Sequence, residues 1–123
     1  MEVEFETGFI KHNQYTIESH EDDSVVLKGE LTEESLNPYG IAHGGFIYGL
    51  GDTAMGLAVF LKKKKAVTVS ANIAYLKAAK GKYITAEGKI TKAGNKICFA
   101  EAKIYNEEKE LIATMTGNYY VVD

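Results

Sequence analysis

The stretch GGFIYGLGDTAMGLAVFLKKKK, residues 44–65, decides the fold because it is the segment with helical periodicity. Its larger apolar residues recur every three to four positions, as on one face of a helix: Phe46, Leu50, Ala54, Leu57 or Ala58, and Leu61. Most of the other positions are small or apolar, which is typical of a helix buried on nearly all sides. The lysine run at its end places positive charge at the negative end of the helix dipole. We therefore predict one long buried helix over residues 43–61.

The segments on both sides of this helix alternate apolar and polar residues, which is the pattern of half-buried strands. Short connections rich in turn residues separate them, so neighbouring strands are expected to pair antiparallel. The predicted strands cover residues 15–20, 24–31, 67–75, 84–90, 98–104 and 111–121. In the third strand we expect one side to be lined by Val67, Val69, Ala71, Ile73 and Tyr75. The predicted fold class is α+β, an antiparallel sheet of five or six strands around one long helix.

Composition and length fit a single soluble domain. The chain has 123 residues, of which 46% are hydrophobic and 25% charged, as in ordinary globular proteins. We expect one domain over residues 1–123, with residues 1–14 as an N-terminal extension. No apolar run approaches the ~20 residues that span a bilayer, and the acidic start has no stretch of signal-peptide type. The expected location is the cytoplasm, without a membrane partner.

Charge and residue usage argue against several classes of protein. The net charge of −3 disfavours a nucleic-acid binder, which needs a basic face. All 14 basic residues are lysine, so a phosphate site must use lysine point charges instead of guanidinium groups. Cys98 is the single cysteine, which excludes an intrachain disulfide and favours a core position. His12 and His20 lack metal-ligand spacing, and we expect neither a metal nor a cofactor.

Two features near the start of the helix suggest chemistry. Gly44 and Gly45 leave the backbone open to close approach, and the first amides of a helix have no partner within it. Such amides suit an oxyanion or a polarised carbonyl. Asp52 lies within the apolar helix, where a carboxylate is costly unless it is paired, so it is a candidate base or nucleophile. Taken alone, a Gly-Gly pair is more often a cap and a helical aspartate is usually exposed.

Together these residues resemble the central helix of hotdog-fold thioesterases of the phenylacetate-degradation type. That family carries Asn-x-x-Gly-x-x-His-Gly-Gly, four residues and Leu-x-Asp, which is matched by Asn37, Gly40, His43, Gly44, Gly45, Leu50 and Asp52. The resemblance covers residues 15–121. It implies a hotdog fold and hydrolysis of an aromatic or short- to medium-chain acyl-CoA to free acid and coenzyme A. Coenzyme A is then part of the substrate.

The resemblance also implies roles for individual residues. The Gly44 amide polarises the thioester carbonyl, and Asp52 acts as a base on water or as a nucleophile that forms an anhydride. Asn37 helps to orient the water or the thioester, and Thr68 stands near the attacking water. His43 holds the loop beside the substrate by hydrogen bonds instead of acting as the base.

A further set of residues is expected to contact the substrate. Gly45 follows the polarising amide, and the acyl pocket is expected to be lined by Tyr48, Met55 and Val59 together with strand residues of a partner subunit. Lys77 and Lys80 lie in a loop where relatives commonly carry a proline. Their charge suits the phosphates of coenzyme A, although a surface loop explains these lysines equally well.

The spacing of Gly44 and Asp52 predicts a shared site. Eight residues of helix span ~12 Å at ~1.5 Å per residue. A carbonyl polarised at ~3 Å from one group and a water activated at ~3 Å from the other must lie almost together. If both residues act on one thioester, as the resemblance implies, they come from different subunits of a two-fold homodimer, which has two such sites. Whether two dimers associate further is open.

Three alternatives remain from the sequence alone. The first is a non-catalytic binder of acyl-CoA or acyl carrier protein with the same fold, which would leave Asp52 unexplained. The second is a hydratase or dehydratase of this fold, although the motifs of those enzymes are absent. The third is a purely structural hotdog oligomer.

Overall fold

The computed structural model describes residues 8–62 and 65–122, which form one antiparallel sheet around a long helix. The elements in chain order are α1 Gly8–His12, β1 Tyr15–His20, β2 Ser24–Glu30, a 3-10 turn Glu33–Ser35, α2 Gly44–Lys62, β3 Ala66–Tyr75, β4 Tyr83–Ala93, β5 Ile97–Asn106 and β6 Leu111–Val121. The six strands have the order β1-β2-β4-β5-β6-β3. The predicted α+β architecture is confirmed, whereas α1 and the 3-10 turn were not predicted.

Helix α2 begins where the side chain and backbone of His43 supply acceptors. The carbonyl of His43 accepts the amides of Phe46 and Ile47 at 3.0 and 3.2 Å. Its Nδ1 accepts the amide of Gly45 at 2.8 Å, so His43 acts as an N-cap. The helix ends at Lys62, one residue from the predicted end. Lys63 and Lys64 of the lysine run lie outside the described residues.

The apolar surface of α2 is covered by one face of the sheet. Leu50, Ala54 and Met55 are fully buried. On β4, a Cβ at Gly88 would overlap the backbone of Ala54, so the glycine allows the helix to lie directly on the strand. By length and composition alone α2 could cross a membrane, contrary to the expectation that no run is long enough. Half of that stretch is buried inside the fold, which accounts for its apolar character.

Strand β3 forms one edge of the sheet and differs from its predicted pattern. Its pairing with β6 shifts register between Thr68 and Ser70, as at a β-bulge. Val67 and Val69 are 54% and 59% exposed. The prediction that alternate residues of β3 line one covered side is therefore wrong for these two valines, and Tyr75 at the end of the strand is also 51% exposed. The bulge changes which way the strand faces, and among residues 8–62 and 65–122 no strand pairs with its outer edge.

Candidate active site

One side of α2 faces away from the core and carries the predicted chemistry. Gly44, Tyr48 and Asp52 are spaced by four residues, which places them along one face of the helix. All three are half-buried, whereas Leu50 on the opposite side is fully buried. Because β3 runs beside this face, its two ends approach the two ends of the site.

At one end, two hydroxyl groups converge on the carboxylate of Asp52. Thr68 Oγ1 donates to Asp52 Oδ1 at 3.0 Å, and Tyr119 Oη donates to the same oxygen at 2.6 Å. Thr68 and Tyr119 are direct partners across β3 and β6, so the strand register places both hydroxyls side by side. Asp52 Oδ2 accepts no hydrogen bond from any residue within 8–62 and 65–122. One carboxylate oxygen is thus held and the other is available.

Sequence reasoning missed Tyr119. Its ring is 2% exposed, and its oxygen also lies 3.2 Å from the backbone carbonyl of Asp52. Burial raises the pKa of the Tyr119 phenol, and the hydrogen bond to Asp52 and the charge of that carboxylate raise it further. The Tyr119 phenol therefore stays protonated and donates its hydrogen bond to Asp52. Strand periodicity places this tyrosine on the inner face but contains no signal that its hydroxyl reaches the helix.

At the other end, the Gly44 amide is available to a ligand. It donates to no acceptor within the described part of the chain, whereas the Gly45 amide is engaged by His43. Tyr75 Oη donates to the Gly44 carbonyl at 2.7 Å, and a Cβ at Gly44 would lie 3.0 Å from that hydroxyl. Burial raises the pKa of Tyr75, and the nearby Tyr48 contributes. At the start of the helix, the Gly44 carbonyl is therefore held by Tyr75, while the Gly44 amide is left for a ligand.

The loop before α2 is organised by Asn37. Its Oδ1 accepts the amides of Tyr39 at 2.9 Å and Ile41 at 3.3 Å. Gly40 closes this turn with φ +81°, a conformation that favours glycine. Asn37 has no hydrogen bond to Asp52 or Thr68 in the described residues. The structure thus shows a loop role for its oxygen, and its role toward water or thioester stays a prediction.

A largely apolar cavity of about 420 Å³ adjoins the Gly44 end; its lining consists of Ile41, Gly44, Ile47, Tyr75, Leu76, Lys77, Ala78 and Ala79. Lys77 Nζ lies 2.8 Å from Glu110 Oε2. This hydrogen bond, with a second from Asn106, holds the pKa of the Glu110 carboxyl below its usual range. Lys80 is exposed. The two lysines predicted for phosphate contact thus differ, since Lys77 already has an anionic partner.

The residues expected to line the acyl pocket also differ from one another. Tyr48 is half-buried on the same helix face as Asp52. Met55 and Val59 are fully buried in the core, so they reach an acyl group only if its pocket extends inside the fold. Within residues 8–62 and 65–122, no three His, Cys, Asp or Glu side chains are grouped to hold a metal ion.

Comparison with known proteins identifies the family of this chain. The family model of the thioesterase superfamily matches residues 39–113, more than half of the 123-residue chain. The Escherichia coli medium/long-chain acyl-CoA thioesterase YigI is 30% identical over 97 residues, which cover 66% of this chain and 63% of that protein. The chain spans less than two thirds of the length of the curated relatives it matches.

Solved structures show the same fold. A hypothetical thioesterase protein of Streptococcus pneumoniae, solved with coenzyme A, is 34% identical with a TM-score of 0.83, covering 88% of this chain and 85% of that one. The PaaI protein of the Escherichia coli phenylacetic acid degradation operon has a TM-score of 0.88 over 93% of this chain and 83% of its own. At 23% identity, PaaI shows the fold alone. The chain belongs to the thioesterase superfamily and has the hotdog fold.

Proposed function

We propose that this protein is an acyl-CoA thioesterase in which Asp52 is the catalytic carboxylate and the Gly44 amide polarises the thioester carbonyl. The observation that carries the proposal is the state of Asp52, a carboxylate on an apolar helix with one oxygen held by two hydroxyls and the other free. The unengaged Gly44 amide supports it, because such a donor suits a developing oxyanion. The Streptococcus pneumoniae relative was solved with coenzyme A, which supports coenzyme A as the thiol part of the thioester substrate.

The proposed reaction consumes one water and can follow two routes. In the first route, Asp52 Oδ2 takes a proton from a water molecule while the oxygen of that water bonds to the carbonyl carbon. The carbon–sulfur bond then breaks, and the coenzyme A thiolate takes that proton. In the second, Asp52 Oδ2 bonds to the acyl carbon, the thiolate leaves, and water cleaves the resulting anhydride. Both routes release a free acid and coenzyme A, and Thr68 would lie beside the attacking water in either.

We further propose a homodimer with two shared sites. Helix α2 is continuous from Gly44 to Lys62, so the ~12 Å separation of Gly44 and Asp52 expected from helix geometry applies. Gly44 of one subunit and Asp52 of another can meet one thioester if the exposed faces of two α2 helices approach each other. The free edge of β3 beside this face supports the proposal. Association of two dimers into a tetramer is the remaining oligomeric alternative.

The substrate is proposed to carry a hydrophobic acyl group, aromatic or of short to medium length. The apolar lining of the cavity beside Gly44 supports this choice. Lys80 is an exposed candidate for the phosphates of coenzyme A, whereas Lys77 would have to exchange its contact with Glu110 for a phosphate. The cytoplasmic location stays a prediction. So does a single domain over residues 1–123 with the helix at its centre.

Thiol release from a panel of acyl-CoAs of increasing chain length, including an aromatic one, tests the proposal. We expect turnover by the parent protein and a kcat lower by about 10²–10⁴-fold in Asp52→Asn, the usual contribution of a general base. Asp22→Asn is the matched control, because Asp22 is exposed and lies between β1 and β2. Binding of acyl-CoA without thiol release would instead identify the non-catalytic binder. Parent-like turnover by Asp52→Asn would refute the assignment of Asp52.

A further inference from the structure

We propose that Tyr119 is a positioning residue for Asp52: with Thr68 it fixes Oδ1, so that Oδ2 is the oxygen that meets the water or the acyl carbon. The inference rests on the proposed function and adds to it a residue and the identity of the reacting oxygen. Tyr119 lies outside residues 39–113, the part of the chain matched by the family model.

The convergence of two donors on one oxygen breaks the symmetry of the carboxylate. An aspartate carboxylate is roughly two-fold about its last torsion and accepts hydrogen bonds at both oxygens. Here the hydroxyls of Thr68 and Tyr119 both donate to Oδ1. Rotation about that torsion would have to break both bonds, and they could form again only after a half turn, when the two oxygens have exchanged places. The carboxylate plane and the direction of Oδ2 are therefore set by these two hydroxyls.

The position of Tyr119 is itself well determined. The ring contacts the positions of Gly56 on α2 and Gly117 on β6, where added Cβ atoms would lie 3.7 and 3.0 Å from it. Its hydroxyl lies within 3.2 Å of the Asp52 backbone carbonyl as well as the side chain. The register shift of β3 falls directly after Thr68, the residue paired with Tyr119. A β-bulge at this point can aim the Thr68 hydroxyl at the helix.

A purely structural tyrosine is the competing explanation, and Tyr15 provides the matched control. Tyr15 is 1% exposed, and its hydroxyl donates to the carbonyl of Phe46 at 2.7 Å. Replacing either tyrosine by phenylalanine removes one buried hydroxyl and one hydrogen bond and keeps the ring. Loss of stability is expected from both variants, whereas an effect on kcat is expected only where the hydroxyl positions Asp52.

Steady-state kinetics of Tyr119→Phe and Tyr15→Phe test the proposal on the best acyl-CoA of the panel. We expect Tyr119→Phe to lower kcat by about tenfold, as for a lost hydrogen bond to a charged group, with KM within about twofold because substrate contacts are unchanged. Tyr15→Phe should keep the parent kcat. Equal kcat in the two variants, or a change in KM alone, would overturn the positioning role.

Thr68→Val and the double variant provide a second measurement. Each single variant leaves one donor on Oδ1, and the double variant leaves none. We expect the double variant to lower kcat by more than the product of the single effects, because either donor alone still orients the carboxylate and only the double variant leaves it without one. A product of independent effects would contradict the shared oxygen. Asp52→Asn in the same assay separates the two proposals: its inactivity beside a fully active Tyr119→Phe refutes only the positioning role, and its full activity refutes both.

Discussion

The phenol of Tyr119 donates a 2.6 Å hydrogen bond to Asp52 across 67 residues of sequence. The last strand of the sheet thus contacts the central helix at the residue proposed for catalysis. Thr68 completes the arrangement from the edge strand. The carboxylate is therefore positioned by two strands and carried by a third element, the helix itself, which is how a rigid scaffold fixes a functional group.

We expect His43 to affect stability more than chemistry. His43→Ala removes the Nδ1 that accepts the Gly45 amide, so the free energy of unfolding should fall by about 1 kcal/mol, as for other lost N-caps. His43→Asn should recover most of that loss because asparagine is a preferred N-cap. Both variants should keep measurable acyl-CoA turnover. Chemical denaturation and the thiol assay check the two parts, and an inactive but fully stable His43→Asn would contradict the capping role.

Gly88 should tolerate no side chain. Gly88→Ala places a Cβ against the backbone of Ala54, and overpacking of this kind costs about 1–3 kcal/mol. Gly56→Ala is the matched control on the helix, where a Cβ meets Tyr119 at an ordinary 3.7 Å and alanine gains helix propensity. Thermal unfolding should show a lower Tm for Gly88→Ala and an equal or higher Tm for Gly56→Ala. Equal melting temperatures for Gly88→Ala and the parent would refute the close contact.

The buried tyrosines should make the protein sensitive to alkali. Burial raises the pKa of Tyr15 and of Tyr119 above the ordinary value of 10.0. Their stabilising contribution is therefore complete below pH 10 and is lost as the pH rises, because the unfolded chain releases these protons first. Above pH 10, each tyrosine should lower the free energy of unfolding by about 1.4 kcal/mol for every pH unit.

Denaturant titrations between pH 8 and pH 11 check this sign and size. Tyr15→Phe should flatten the alkaline loss of the free energy of unfolding by the contribution of one tyrosine. Tyr119→Phe should do the same, and the double variant should remove both contributions. A pH dependence that is identical in the parent and the double variant would contradict the burial of these phenols.

The sequence predicted the secondary structure well because the helix repeats its apolar residues every three to four positions, whereas the strands alternate every two. Apolar residues at helical spacing predicted residues 43–61, and the structure has Gly44–Lys62. Strand β6 was predicted within its observed bounds, Leu111–Val121. Strand order could not be predicted in this way, because alternation indicates which face is covered and not which strand is adjacent. The place of β3 beside β6 is therefore a result of tertiary structure.

The candidate site was predicted at the helix motif and at Thr68, which the family resemblance placed near the attacking water and which the structure places beside Asp52. Gly44 and Asp52 lie within one helix, so their spacing, together with the roles implied by the family resemblance, predicted a shared site. Tyr119 is brought to Asp52 by strand register, which no local pattern encodes. The pairing of Lys77 with Glu110 joins residues 33 positions apart in two loops. Such contacts depend on side-chain reach after folding, and residue type alone did not indicate them.

The central claim is that one site uses Gly44 of one subunit and Asp52 of another, and a mixture of two inactive variants tests it most directly. Asp52→Ala lacks the carboxylate. Gly44→Val blocks approach to the amide with a branched side chain, and circular dichroism checks beforehand that it folds. Unfolded and refolded together, the two variants should form hybrid dimers in which one site carries both lesions and the other carries neither.

Random pairing makes about half of the dimers hybrid, and each hybrid has one intact site of two. The refolded mixture should therefore recover about a quarter of the parent kcat, while each variant refolded alone stays inactive. Native mass spectrometry counts the hybrids in the same sample. Hybrid dimers without any recovered activity would contradict the claim, since they would show that Gly44 and Asp52 of different subunits do not form one site.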